Sequence, residues 1–288
     1  MVSLVYPTVA LSPYVISFAV ISRTFETMQQ EIISARGVPM LMFPFKAPSD
    51  TSFIHGLDGS AYPHRLLDSP ALLTANSTFA QTHFYGEVNF VMVLLQMTGA
   101  YHFLRGSVKG MADQVNLLRF YGNPPDLREL QERLWDVTDK MEACTLVETY
   151  LLRYFSRKRP TRLNDISPVT RYLMKTSGQD TVETLRARFK CSERWLQEQF
   201  AEQTSLSPKN WLRLLRFRAA ASYWLHHPGC SWFDLVVKFG YTDPSHLNRD
   251  FQQYAGSAPA RHFARYGELE ARLGINEPGM FGTGEKAA

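Results

Sequence analysis

An internal repeat in the second half of this chain narrows its fold more than any other pattern in it. Leu185 and Phe189 recur as Leu235 and Phe239 at an offset of 50, and Leu196, Phe200 and Pro208 recur as Leu247, Phe251 and Pro259 at an offset of 51. Each unit reads as a short helix, a tight turn (Lys190-Cys191-Ser192 or Gly240-Tyr241-Thr242) and a second helix bearing Leu and Phe four residues apart. Two short helices joined through such a turn make a helix-turn-helix. Its second helix, exposed along one side, fits a DNA major groove. The repeated Leu and Phe residues are core, because helical spacing is what packing requires.

Between the units runs one helical stretch from Pro208 to about His226, with Trp211, Leu212, Leu215, Ala219 and Ala220 in helical register. Its length, at ~1.5 Å per residue, is ~28 Å, close to the ~34 Å of one DNA turn. A rod of that size can hold two recognition helices in successive major grooves. Helix starts follow from N-cap residues before proline, at Ser167-Pro168, Ser207-Pro208 and Asp243-Pro244, and from capping boxes at Asp180-x-x-Glu183 and Ser231-x-x-Asp234. Gly178, Gly229 and Gly240 sit where helices should end.

The first ~110 residues read differently. Tyr14–Ile21, Val38–Phe45 and Val88–Met97 are apolar runs rich in strand-forming residues and bounded by Gly, Pro, Ser or Asn. From Asp126 the period becomes helical, with Leu127, Leu130, Leu134 and Val137 on one face and Asp126-x-x-Glu129 as a capping box. A further helix carries Val147, Leu151 and Tyr154 or Phe155. The fold class is therefore an α+β N-terminal domain, strand-rich and then helical, followed by an all-α domain with two helix-turn-helix units. The expected boundaries are 1–155 for the first domain, 156–162 for a basic, proline-broken linker, 163–267 for the helical domain and 268–288 for a flexible tail.

Charge sharpens this division. The whole chain carries +4, but the two halves differ. Residues 1–160 hold 14 basic and 14 acidic side chains, residues 161–267 hold 15 and 9, and the remainder holds 2 and 4. A neutral half beside a basic half suits one part that meets a polyanion and another that does not. The three cysteines form no CxxC pair, which fits a reducing cytoplasm. The uncharged first 22 residues lack a basic leader and are broken by Pro7 and Pro13, so they read as strand or loop and not as a signal peptide. No apolar run reaches the ~20 residues of a membrane span.

Residues 163–266 resemble the DNA-binding domain of the AraC/XylS family of bacterial transcription regulators. The second unit carries the likeness most fully: Phe239-Gly240-Tyr241-Thr242-Asp243-x-Ser245-x-Leu247-x-Arg249-x-Phe251, then Gly256-Ser257-x-Pro259, with Arg216 and Ala220 in the connecting helix. The first unit departs from the pattern at Glu198, where the family usually has Arg, and at Ser205, where it usually has Gly. The N-terminal half more loosely resembles an uncharacterised domain fused upstream of such domains. That likeness rests on Leu11-Ser12-Pro13-Tyr14-Val15, on Phe90 through Gly99-Ala100-Tyr101-His102-Phe103-Leu104, and on Leu127, Leu130, Leu134 and Thr145-Leu146-Val147-Glu148. In this family such upstream domains usually sense a small molecule, drive dimerisation, or both.

The implied function is sequence-specific DNA binding by a cytoplasmic, nucleoid-associated transcription regulator. Arg194, Gln197 and Glu198 in the first recognition helix, and Ser245, His246 and Arg249 in the second, are the candidate base readers. Arg suits guanine, Gln adenine, and a carboxylate the cytosine amino group. Lys190, Ser192, Lys209, Arg216 and Thr242 are candidate phosphate contacts, with Arg216 alternatively paired to a carboxylate inside the fold. Double-stranded DNA is the partner. A small-molecule effector, a homodimer and, for an activator, RNA polymerase complete the expected set, with no cofactor and no membrane. A competing reading is a small-molecule-binding or enzymatic N-terminal half with secondary DNA binding, but no phosphate loop, nucleophile elbow or catalytic triad appears. His83-x-x-x-Glu87 is the nearest approach to metal-ligand spacing among the N-terminal histidines His55, His64, His83 and His102, and no metal site is expected from it.

Overall fold

The computed structural model describes residues 2–47, 53–55, 69–118, 125–157, 164–176, 179–227 and 229–264. Their strands are β1 (Val2–Val5), β2 (Val15–Ile33), β3 (Met40–Pro44), β4 (Phe53–His55), β5 (Ala71–Leu73), β6 (Ala80–Leu95) and β7 (Val115–Leu117). Helix α1 (Gly99–Leu104) precedes β7, and α2 (Pro125–Asp136) and α3 (Lys140–Ser156) follow it. The helical half then runs α4 (Ser167–Thr176), α5 (Val182–Phe189), α6 (Glu193–Thr204), α7 (Pro208–His226), α8 (Trp232–Lys238), α9 (Pro244–Ala255) and α10 (Pro259–Ala264). Of the expected linker, Ser156 closes α3 and Arg157 follows it, while residues 158–162, Gly178, His64 and the tail lie outside the described residues.

The strands form one antiparallel sheet ordered β1-β2-β6-β3-β5-β7, with β4 also on β6. β2 and β6 are longer than their apolar cores suggest, because polar residues carry the pairing onward through Arg23↔Val88 and Gln30↔His83. The continuous apolar run of β6 has a plain cause. Val91, Val93 and Leu95 pack with Leu127, Leu134, Val147 and Leu151 of α2 and α3, whereas Phe90, Met92 and Leu94 share a cluster with Leu185, Leu196, Phe200 and Trp211 of the helical half. Side chains alternate across a strand, so a sheet covered on both faces needs apolar residues at every position. One hydrophobic cluster therefore runs from the sheet into the first helix-turn-helix unit.

Local rules account for most helix ends. Ser207 and Asp243 cap α7 and α9 by accepting from the Asn210 and His246 amides, each with proline at the first position, and Ser231 and Asp234 form the capping box of α8. Three expectations shift. The box before α5 is Thr181 with Thr184, because these hydroxyls reciprocate while Asp180 accepts from Thr176 and Tyr172 instead. Ser167 lies inside α4, its amide donating to Asp165. Asp126 lies in the first turn of α2, so it does not cap it, and its carboxylate pairs with Arg157.

Candidate nucleic-acid interface

Each repeat unit folds as two helices across a tight turn, α5–α6 and α8–α9. The turns use left-handed backbone, at Lys190 (φ 50°) in the first and Gly240 (φ 66°) in the second. Leu185, Leu196, Phe200, Leu235, Phe239, Leu247 and Phe251 are buried and Phe189 is half-buried. What remains on the outer face of α6 is Glu193, Arg194, Gln197 and Glu198, and on that of α9 Ser245, Asn248 and Arg249, all exposed. The i, i+3, i+4 spacing that buries one side of each helix presents these residues together on the other.

The two faces differ in charge. Arg194 donates through Nε to Glu198 at 2.9 Å, and Gln197 donates to Glu193 at 3.1 Å. The Arg194 guanidinium is held above its ordinary value by that hydrogen bond and by the charge of Glu198. Arg186 bridges to Glu193 at 3.4 Å. Both candidate readers of the first helix are thus tied to carboxylates on their own helix. On α9, Arg249 is exposed and has no ion pair among the described residues. His246 is half-buried, its ring edge-on to Tyr241 at 5.2 Å.

Among the phosphate candidates, Lys190 and Lys209 are exposed. Ser192 caps α6 by accepting from the Trp195 amide, so its hydroxyl marks the start of the recognition helix. Thr242 is exposed, but the cap of α9 is its neighbour Asp243. Arg216 is half-buried with its guanidinium over the Tyr241 ring at 5.8 Å and has no carboxylate partner among the described residues. The internal ion pair of α7 is instead Arg213 with Asp250 of α9, at 2.6 Å. Asp250 is fully buried, and burial raises its carboxyl above the usual carboxylate range despite the opposing pull of Arg213. Sequence reasoning passed over this pair, since neither spacing nor motif links positions so far apart. It also passed over Asn248, although its i+3 relation to Ser245 puts it on the same face.

Backbone contacts join this half to the sheet. The Ala35 amide donates to the Tyr254 carbonyl at 2.7 Å and the Phe79 amide to the Gln253 carbonyl at 3.3 Å, both in the last turn of α9. The Val108 amide donates to the Glu202 carbonyl at 2.9 Å, in the last turn of α6. Carbonyls at a helix C-terminus lack partners within the helix. Here the N-terminal half supplies partners for both recognition helices, and the N-terminal turns of both remain exposed.

Elsewhere in the N-terminal half Glu87 pairs with Lys46 at 2.6 Å, and among the described residues no three His, Cys, Asp or Glu side chains gather as metal ligands. No described helix is long and apolar enough to cross a membrane.

Two helix-turn-helix units on one long helix, each with an exposed polar recognition face, define a DNA-binding protein. Residues 185–265 match the family model described as a helix-turn-helix domain. They form a helix-turn-helix domain, the DNA-binding module that the two units describe. Similar solved structures include ToxT from Vibrio cholerae, at 11% identity over 87% of this chain and 99% of that one, with a TM-score of 0.43. Its unsaturated fatty acid-bound form matches at 10% identity over 86% and 95% of the two chains, with a TM-score of 0.43. The AraC-like transcriptional activator CuxR matches at 11% identity over 76% and 86%, with a TM-score of 0.25. No curated protein matches the sequence.

Proposed function

We propose that α6 and α9 enter successive major grooves of one DNA duplex and that the N-terminal half, residues 1–155, sets how they are presented. Arg249, with Ser245, His246 and Asn248, reads bases from α9. Arg194 and Gln197 read from α6 once the Arg194–Glu198 pair opens. Lys190, Ser192, Lys209, Arg216 and Thr242 position the phosphates and supply salt-dependent affinity. The observation that carries this reading is the orientation of both recognition helices, whose C-terminal turns are held by Ala35, Phe79 and Val108 while their first turns stay open. Base contacts come from the first turns of a recognition helix. A small-molecule effector or a second copy of the chain acting on the N-terminal half would bias the geometry of the pair.

The test is selection of bound fragments from the source genome, followed by fluorescence anisotropy on the selected sequence. Arg249→Ala is expected to weaken binding by ~5–150-fold, the loss of ~1–3 kcal/mol for one good base contact, and to relax preference at one position. Equal, purely non-specific binding by wild type and variant would overturn the proposal.

A further inference from the structure

Between α2 and α3 lies a groove of about 320 Å3, within the size of small-ligand sites. Tyr150 lines it and is only 7% exposed, stacked on Tyr154 at 5.9 Å and edge-on to Phe43 at 6.2 Å. Its neighbour Tyr154 donates its hydroxyl to the Phe103 carbonyl at 2.5 Å, yet the Tyr150 hydroxyl is buried with no hydrogen-bond partner among the described residues. An unmatched buried hydroxyl is destabilising, whereas phenylalanine would fill the same space without that cost. Burial also pushes the phenol far above its ordinary value, so it stays protonated and donates.

Three guanidinium groups line the same groove. Arg157 is committed to Asp126. Arg133 and Arg153 are exposed and in no ion pair among the described residues. Glu129 is the remaining carboxylate at the rim, and Thr149 spends its proton on the Thr145 carbonyl. The uncommitted groups are therefore two arginines and a buried phenol against one carboxylate, a set that favours an oxyanion.

We propose that this groove binds a small organic anion, its carboxylate or phosphate clasped by Arg133 and Arg153 and one of its oxygens accepting from the Tyr150 hydroxyl. The proposal names a signal for the reading above, in which the N-terminal half sets the presentation of α6 and α9, and it rests on that reading for its consequence. Arg153 lies in the last turn of α3, which ends at Ser156 where the chain leaves for the helical half.

Calorimetric titration and thermal unfolding of the full chain test it, with inorganic phosphate and malonate as probes and chloride at matched ionic strength as reference. Saturable binding is expected, and the probe giving the larger melting shift identifies the headgroup. Arg153→Gln should weaken binding at least ~tenfold, the scale of a lost charge-assisted contact. Tyr150→Phe should melt no lower than wild type without anion, yet lose most of the anion-induced shift. A structural tyrosine would do the opposite. Shifts no larger than with chloride, or equal shifts in all three proteins, would overturn the site. So would loss of a dimer on sedimentation in either variant without any anion response, since that would make the groove a contact between copies. DNA anisotropy separates the two ideas: anion binding without a change in DNA affinity sinks the signalling reading alone, and DNA binding without any anion response sinks the groove alone.

Discussion

Gly37 sits between β2 and β3 at φ 68°, and a Cβ built there would lie 2.4 Å from Leu214 Cδ2 and 2.8 Å from two atoms of the Trp211 ring. Leu214 and Trp211 both belong to α7 and are 1% and 0% exposed, so neither side chain has room to retreat. Gly37→Ala therefore combines two penalties. A left-handed backbone costs a non-glycine residue ~1–2 kcal/mol, and forcing a methyl into packed core costs ~1–3 kcal/mol. The expected loss is ~2–5 kcal/mol, concentrated where the sheet meets the DNA-binding half. Denaturation in urea followed by tryptophan fluorescence reads it, since Trp211 reports from the contact itself. The wild-type chain should unfold with its halves coupled, and the variant should show a lower midpoint with the helical half released first. A loss under ~0.5 kcal/mol, the range of an ordinary surface change, would show that the two halves are not packed as described.

Replacing Arg213 with methionine strands a fully buried Asp250, so stability at neutral pH should fall by ~3–5 kcal/mol. The carboxyl, already raised by burial, would rise further, so this loss should shrink as pH falls towards the usual carboxylate range, where protonated Asp250 needs no partner. A pH-independent loss in thermal melts would contradict this. Glu198→Gln should free Arg194 and remove a charge that repels phosphate, tightening specific DNA binding by about 2–10-fold and leaving melting nearly unchanged. Weaker binding would instead mean that Glu198 reads a base. Cys144 is buried with its thiol pushed up to about 11, so iodoacetamide at pH near ~8 should spare it while reaching the half-buried Cys191. Peptide mass mapping that finds alkylated Cys144 in native protein would contradict the packing of α3.

The repeat, the connecting helix and the caps at Ser207, Ser231 and Asp243 were legible because each is governed by residues close in sequence. Ser207-Pro208 and Asp243-Pro244 each set a capping side chain before a proline that opens the helix, and Leu and Phe four apart need only a helix and something to cover them. Failures came where two local options competed, as when Thr181 and Thr184 took the capping role from Asp180 and left its carboxylate to Tyr172. The ion pair of Arg213 and Asp250, and the amides of Ala35, Phe79 and Val108 on the recognition helices, left no trace in the pattern. Backbone hydrogen bonds carry no side-chain signature, and a polar residue on a helix reads as exposed until its neighbours are known. The apolar run of β6 was a partial exception. It read as a strand, but nothing in the run told that its second face is covered by the DNA-binding half itself.

That shared covering bears on how such proteins can be recombined. A DNA-binding half grafted onto a different upstream domain would uncover the side of Trp211 and Leu214 that lies against Gly37, and leave the last turns of α6 and α9 facing water. Chimeras cut between residues 157 and 164 should therefore be less soluble than either parent. Natural exchange of upstream partners would require matching changes along the sheet face that holds Phe90, Met92 and Leu94. The two halves of this chain inherit one another's surface.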